Sequence, residues 1–133
     1  MQTELFPLAL LILMQVVLGL VATYFVGRKN GVQFLFSSRG SEAALGDSLA
    51  GRLHRARANG FECITYFAPV ALLLVVGDLS TPSTAAAAWI FLVARALYWA
   101  AYAGDWVPWR TVFWFIGIGC VVWMAGVGLV GMV

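Results

Sequence analysis

Residues 5–26 read LFPLALLILMQVVLGLVATYFV, and this stretch decides what kind of protein the chain is. It carries no charged side chain, and Gln15 is its only strongly polar one. A helix needs about 20 mostly apolar residues to cross the hydrocarbon core of a bilayer. The run is longer than the apolar core of a cleaved signal peptide (about 7–15 residues), and no basic residue precedes it. We therefore interpret it as a membrane span.

Three further apolar segments follow the first one. They cover about residues 61–77, 85–104 and 112–133. The second of these carries one charged residue, Arg95, and the third carries none. Each is close to the length that a transmembrane helix requires. The sequence predicts an all-α integral membrane protein, with a four-transmembrane-helix bundle in one domain over residues 1–133.

The overall composition supports a membrane protein. Hydrophobic residues make up 62% of the 133 residues and charged residues 11%, whereas soluble domains have about 45–50% and about 25%. This composition excludes a soluble enzyme and a disordered tail, and the net charge of +2 is too small for a nucleic-acid binder. Cys63 and Cys120 lie in apolar surroundings, so neither a disulfide framework nor a zinc site is indicated.

The connections between the spans carry signals for helix ends. The first connection, about residues 27–50, is polar, and Asp47 or Ser48 is predicted to cap a helix that continues into the second span. In the second connection, Pro82 favours a break before the third helix, which Ser83 or Thr84 is predicted to cap.

Charge asymmetry predicts how the chain is oriented. Six basic residues lie within residues 27–60, against Glu42 and Asp47, and Arg110 lies in the third connection. The six are Arg28, Lys29, Arg39, Arg52, Arg55 and Arg57. The N-terminus and the second connection carry only Glu4 and Asp78. The positive-inside rule then places both termini on the non-cytoplasmic side. The short chain and compact loops favour a bacterial inner membrane.

Polar residues form one stripe on each of two helices, because each set has the offsets i, i+3, i+7 and i+10. The two sets are Arg52, Arg55, Asn59 and Glu62 near the second span, and Arg95, Tyr98, Tyr102 and Asp105 in the third. Such faces are expected to enclose a polar cavity. The alternative is that the basic residues anchor lipid phosphates and the tyrosines belong to an aromatic belt.

Arg95 is the strongest indication of a functional site, because it lies about 14 Å inside the cytoplasmic end of its helix, at 1.5 Å per residue. A charged side chain at such depth is costly and by default marks a functional site. Glu62 is the nearest candidate counter-charge by depth.

Three motifs resemble those of the MAPEG family, the membrane-associated proteins in eicosanoid and glutathione metabolism. The stretch RLHRARANGFE at 52–62 is similar to the family signature that joins two Arg, an Ala, an Asn and a Glu. RALYWAAY at 95–102 and PWRTV at 108–112 resemble the motifs of its third and fourth helices. The motifs occur in the family's order, so the resemblance covers the whole chain.

The resemblance implies a homotrimeric, membrane-bound glutathione-dependent transferase or peroxidase, with glutathione as cosubstrate and a lipophilic small-molecule electrophile as the other substrate. It places Arg110 beside the sulfur as the catalytic residue. It assigns glutathione binding to Arg28 (or Lys29), Arg55, Asn59, Glu62, Arg95, Tyr98, Tyr102 and Thr111. Arg95, Tyr98 and Tyr102 are expected to come from the adjacent chain.

The sequence leaves one other function open and argues against another. A non-catalytic, lipid-binding or accessory subunit of a larger membrane complex shares the same fold, although Arg110 argues against it. A four-helix drug–proton antiporter requires a carboxylate deep in the first span, and residues 5–26 have none.

Overall fold

Five helices and no strand form the part of the chain that the computed structural model describes, residues 4–37 and 45–133. They are α1 (Leu5–Asn30), α2 (Val32–Leu35), α3 (Leu49–Val76), α4 (Pro82–Ala103) and α5 (Val107–Gly131). All but α2 are long and apolar enough to cross a membrane. The predicted all-α membrane bundle is thereby confirmed. Arg39 and Glu42, which contribute to the predicted charge of the first connection, lie outside the described residues.

The bundle has two ends of opposite character. The connections that follow α1 and α4 lie at one end, which we call the basic end because Arg28, Arg52 and Arg110 lie there. Glu4 and the connection with Asp78 lie at the other, which we call the acidic end. α1 packs mainly on α3, and α4 on α5. The two pairs meet through α3, so α3 is the helix best placed to connect a site to the core.

The helix starts depend on local side-chain caps. Ser48 caps α3, since its Oγ accepts from the Gly51 amide at 3.2 Å, as predicted. Thr81 caps α4, and the Thr84 side chain in turn accepts from the Thr81 amide at 2.8 Å. The prediction of Ser83 or Thr84 as the cap is wrong, because the fixed φ of Pro82 suits the first helical position and places the cap at Thr81, the residue before it.

Helices extend further than the apolar runs at the basic end. α1 continues to Asn30, and α5 begins at Val107, five residues before the predicted start of the fourth span. Gly31 stops α1 with a φ of 87°, a backbone conformation that glycine adopts without cost, and the short α2 follows. Polar and aromatic turns therefore remain helical at this end, and they carry the candidate site residues.

A dense apolar layer holds α3 and α4 together below the site. The rings of Phe67 and Phe91 stack with centroids 4.2 Å apart, and Ala71, Ala88 and Met124 are fully buried around them. Small and large side chains interdigitate here as in other well-packed interiors. This packing fixes the two polar stripes relative to each other.

A close contact between α1 and α3 sets the rotation of α3. Gln15 is buried, and its Nε2 donates to the carbonyl of Arg57 at 2.8 Å. The Gln15 Oε1 lies so close to Gly60 that a Cβ there would collide with it. Arg57 thereby faces α1, with its Cδ beside Gly19. The opposite face of α3, which carries the predicted stripe, is turned towards α4.

Candidate functional site

Arg55 connects α3 to two other parts of the basic end. Its Nε donates to the Tyr102 hydroxyl at 3.2 Å, and Nη1 donates to the Gly46 carbonyl at 2.9 Å. Nη2 forms an ion pair with Asp47 at 3.4 Å. The side chain is still 44% exposed and its ion-pair partner Asp47 is fully exposed, so a ligand carboxylate can take the place of Asp47.

Arg52 has a structural role one turn earlier. Its Nε donates to the carbonyl of Ala103 at 3.2 Å, and Nη1 donates to the carbonyl of Asp47 at 2.6 Å. Ala103 is the last residue of α4, where carbonyls lack helical partners and a cation is favourable. Arg52 therefore fixes the end of α4 against the start of α3.

Arg95 is the most buried basic residue among those described, with 1% of its surface exposed. Its Nη2 donates to the Oδ1 of Asn59 at 2.8 Å, and its guanidinium carbon lies 4.1 Å from the centre of the Tyr98 ring. Its Nε has no hydrogen-bond partner in the described chain. The expected pairing with Glu62 is wrong: Asn59 lies between the two, and its Nδ2 donates to Glu62 Oε2 at 3.4 Å.

Two tyrosine rings lie between two arginines along α4 and the start of α5. The Tyr98 and Tyr102 rings lie 5.6 Å apart, and the guanidinium carbon of Arg110 lies 4.6 Å from the centre of the Tyr102 ring. With Arg95 on Tyr98, the order is Arg, Tyr, Tyr, Arg. Guanidinium groups over aromatic faces are attracted to the ring electrons, so both tyrosines help to hold the two arginines.

Seven of the nine predicted site residues thus form one connected group of side chains, which we call the site network. Its members are Arg55, Asn59, Glu62, Arg95, Tyr98, Tyr102 and Arg110. All its contacts occur within one chain. Within one chain, α3 and α4 already bring these side chains together. That Arg95, Tyr98 and Tyr102 also line the site of an adjacent chain stays a prediction.

The other two predicted residues, Arg28 and Thr111, contact residues outside the site network. Arg28 lies at the end of α1, is exposed, and donates to the Tyr24 hydroxyl at 3.4 Å. Its neighbour Lys29 donates to the carbonyl of Leu45 at 2.9 Å and so supports the first connection. Thr111 is exposed, and its hydroxyl lies 3.5 Å from the Val107 carbonyl of its own helix.

Sequence reasoning missed two residues beside the site network. The Sγ of buried Cys63 lies 3.7 Å from Asn59 Oδ1 and 3.5 Å from the hydroxyl of Tyr66. Both residues lie on the helical face of Asn59, four and seven positions after it. That spacing is a signal that could have identified them, whereas the apolar surroundings of Cys63 in the sequence only argue against a disulfide or a zinc site.

A groove opens on the outer side of α4 and α5 at the basic end. It has a volume of about 610 Å³, and its lining includes Trp106, Trp109 and Phe113. Phe113 and Leu97 also line a second groove of about 330 Å³, which continues towards Trp89. Together the two grooves form an apolar path from the basic end towards the middle of the bundle.

The site network combines exposed and buried charge in a way that suits a ligand with negatively charged groups. Arg55 and Glu62 are exposed and Asn59 is half-buried, so a guanidinium, a carboxylate and an amide face outward. Among the described residues, the positive charge of Arg95 contacts no carboxylate directly. A buried charge without a counter-charge is costly, and an anionic ligand nearby would reduce that cost.

Comparison with known proteins agrees with the motifs. The sequence model of the MAPEG family matches residues 5–130, nearly the whole chain. No curated protein and no solved structure gives a match. The chain belongs to the MAPEG family.

Proposed function

From its membership of the MAPEG family, we propose that this integral membrane protein is a glutathione-dependent transferase that acts on lipophilic electrophiles, hydroperoxides among them. The observation that carries the proposal is the site network, in which three arginines, a carboxylate and an amide from α3, α4 and α5 are joined by hydrogen bonds and ring contacts.

The groups of the site network fit the charges of glutathione, which has two carboxylates, one ammonium and one thiol. Arg55 is an exposed fork of donors suited to a carboxylate. Glu62 is an exposed carboxylate suited to the ammonium, and Asn59 offers an amide beside it. The unpartnered Nε of Arg95 indicates positive charge that the described chain does not itself compensate.

Arg110 is proposed to stabilise the thiolate form of glutathione. A free thiol is mostly protonated at neutral pH, and the thiolate is the nucleophile. Arg110 lies in the first turn of α5, where the helix dipole also favours an anion. Arginine keeps its charge in a water-poor site, whereas lysine loses its proton more readily. The Tyr102 ring supports the guanidinium from one side.

The lipophilic substrate is proposed to arrive from the bilayer. Trp106 and Trp109, which line the first groove, are close to Arg110 in the sequence. The first groove continues into the second, apolar groove along α4. Ligand pockets are mostly apolar with a few placed polar groups. An electrophile that partitions into lipid would follow such a path to the edge of the site network.

Assembly and orientation are also part of the proposal. We expect a homotrimer in which Arg28 reaches the site of a neighbouring chain, since Arg28 is exposed whereas Lys29 is engaged with Leu45. The basic end is proposed to face the cytoplasm by the positive-inside rule, which puts both termini on the non-cytoplasmic side. A bacterial inner membrane is the proposed location.

Glutathione binding to the detergent-purified protein, measured by calorimetry, tests the proposal. Arg55→Ala is expected to weaken binding at least tenfold, about 1.4 kcal/mol, because it removes an exposed guanidinium of the site network. Arg57→Ala is the matched control, since Arg57 lies two residues away and faces α1. Its affinity is expected to equal that of the unsubstituted protein.

Two results would contradict the proposal. Absence of glutathione binding and of conjugation in the unsubstituted protein, together with co-purifying partner proteins, would favour a non-catalytic accessory subunit. Equal losses in Arg55→Ala and Arg57→Ala would show that positive charge at this end matters in general, and not the site network.

A further inference from the structure

We propose that Arg95 is a positioning residue: it does not touch glutathione, but fixes the amide of Asn59 and, through that amide, the carboxylate of Glu62. The inference rests on the proposed function, and it changes the role that the family resemblance gave to Arg95. The geometry places Arg95 one layer below the residues that a ligand reaches.

Burial separates the two layers. Arg95 is 1% exposed and Tyr98, whose ring covers the guanidinium, is 5% exposed. Asn59 is half-buried and Glu62 is exposed. A ligand that contacts Glu62 meets Asn59 before it meets Arg95, because Asn59 forms hydrogen bonds to both.

The hydrogen-bonding chemistry of arginine dictates which way the Asn59 amide faces. A guanidinium only donates, so the group that faces Arg95 at 2.8 Å must be the oxygen, Oδ1. The Cys63 thiol lies 3.7 Å from the same oxygen and can donate to it. The amide nitrogen must therefore point away from Arg95, towards Glu62 Oε2 at 3.4 Å. One of its two N–H groups meets Glu62, and the other remains for a ligand.

Without Arg95, only the two longer contacts, with Glu62 at 3.4 Å and with the Cys63 thiol at 3.7 Å, favour this amide orientation. The oxygen and nitrogen of an amide differ little in shape, so a rotated Asn59 would turn its oxygen towards the Glu62 carboxylate. Two acceptors would then face each other, and the donor for the ligand would be lost. The buried positive charge also polarises the amide and strengthens its outward N–H groups as donors.

A double-mutant cycle on glutathione affinity tests this arrangement. Arg95→Met removes the donor and keeps a side chain of similar length, and Asn59→Ala removes the amide that it orients. Each single variant is expected to bind about tenfold more weakly, and the double variant no more weakly than Asn59→Ala alone, because coupled residues do not act additively. Multiplied losses would mean that Arg95 acts independently of Asn59 and would overturn the inference.

A second measurement needs no ligand. The sequence holds only two asparagines, Asn30 and Asn59, so selective ¹⁵N labelling of asparagine gives two side-chain amide signals, which Asn59→Ala assigns. Arg95→Met is expected to shift or broaden the Asn59 signal and leave that of Asn30 unchanged. Arg95→Lys keeps a donor, so its Asn59 signal is expected to lie closer to that of the unsubstituted protein. This variant is measured in place of Arg95→Met if Arg95→Met does not fold. An unchanged Asn59 signal in Arg95→Met would overturn the inference.

The two measurements separate this inference from the proposed function. If the unsubstituted protein binds no glutathione, the function fails, while the Asn59 signal still decides whether Arg95 orients the amide. If glutathione binds and Arg95→Met binds it equally well, the function stands and the positioning role fails.

Discussion

Glu4 and Arg95 are the two fully buried charge-bearing side chains among the described residues, and they lie towards opposite ends of the bundle. Both oxygens of Glu4 accept hydrogen bonds, Oε1 from Thr84 and Oε2 from Ser80. Arg95 is only partly satisfied, with Asn59 on Nη2 and no partner for Nε. The contrast teaches that burial alone does not mark a functional charge, whereas burial with unused hydrogen-bonding capacity does.

The surroundings of Glu4 explain why it is structural. Thr84 lies in the first turn of α4, inside the capping box with Thr81. An acidic group beside a helix N-terminus is favourable because of the helix dipole and the free amides there. Glu4 thus joins the start of α1 to the start of α4. Arg95 instead lies below exposed polar groups, and Asn59 connects it to the side chains that a ligand reaches.

The largest expected effect of any substitution is at the basic end. Arg110→Ala is expected to lower conjugation of a chromogenic electrophile at least about 100-fold, the loss typical when one group that stabilises developing charge is removed. Helical circular dichroism and oligomeric state are expected to stay unchanged, since Arg110 is partly exposed and does not pack in the core. Full activity in this variant would remove Arg110 from the mechanism.

A smaller effect, on stability alone, is expected at the acidic end. Glu4→Ala leaves the hydroxyls of Thr84 and Ser80 without their carboxylate partner, so the free energy of unfolding is expected to fall by about 1–3 kcal/mol. Glutathione affinity is expected to remain the same. Thermal unfolding followed by tryptophan fluorescence measures the first effect and calorimetry the second.

Asp78→Asn is the control for the acidic end, because Asp78 is an exposed carboxylate in the same connection as Ser80, and asparagine also tolerates its φ of 55°. Its Tm is expected to match that of the unsubstituted protein. A loss of glutathione affinity in Glu4→Ala at unchanged stability would reverse the roles assigned to the two ends.

The smallest effect on stability is expected for Arg95→Met. The variant loses the hydrogen bond to Asn59 and the contact with Tyr98, but it also removes a buried charge with no direct carboxylate partner among the described residues. Replacing buried charge with apolar groups of similar volume is often neutral or stabilising. We expect the free energy of unfolding to change by no more than about 1 kcal/mol. A large destabilisation would make Arg95 as structural as Glu4 and erase the contrast between them.

The sequence predicted the spans well because apolar length is a local property. It predicted the helix starts less well. Val107 lies five residues before the apolar run of α5 begins, and Thr81 caps α4 one residue before Pro82. Four-residue α2 was not predicted, since its residues carry no period long enough to detect.

The site was predicted as far as helical spacing reaches. Offsets along α3 and α4 grouped six of the seven members of the site network, because residues three, four and seven apart share a face. Arg110, on α5, was indicated only by the family resemblance. Depth in the membrane did not identify the partner of Arg95, since Asn59 and Glu62 differ by less than one turn and only the packing of α3 on α4 separates them. The burial of Glu4 depends on residues 76 and 80 positions away, and no local pattern reports it.

Tyr102 holds Arg55 with its hydroxyl and Arg110 with its ring. The residue proposed to grip the tripeptide and the one proposed to activate its sulfur therefore share a single support. Evolutionary change at Tyr102 would alter affinity and reactivity together. Members of this lineage that specialise towards new electrophiles are then expected to vary the outer α4–α5 groove first and to leave this tyrosine in place.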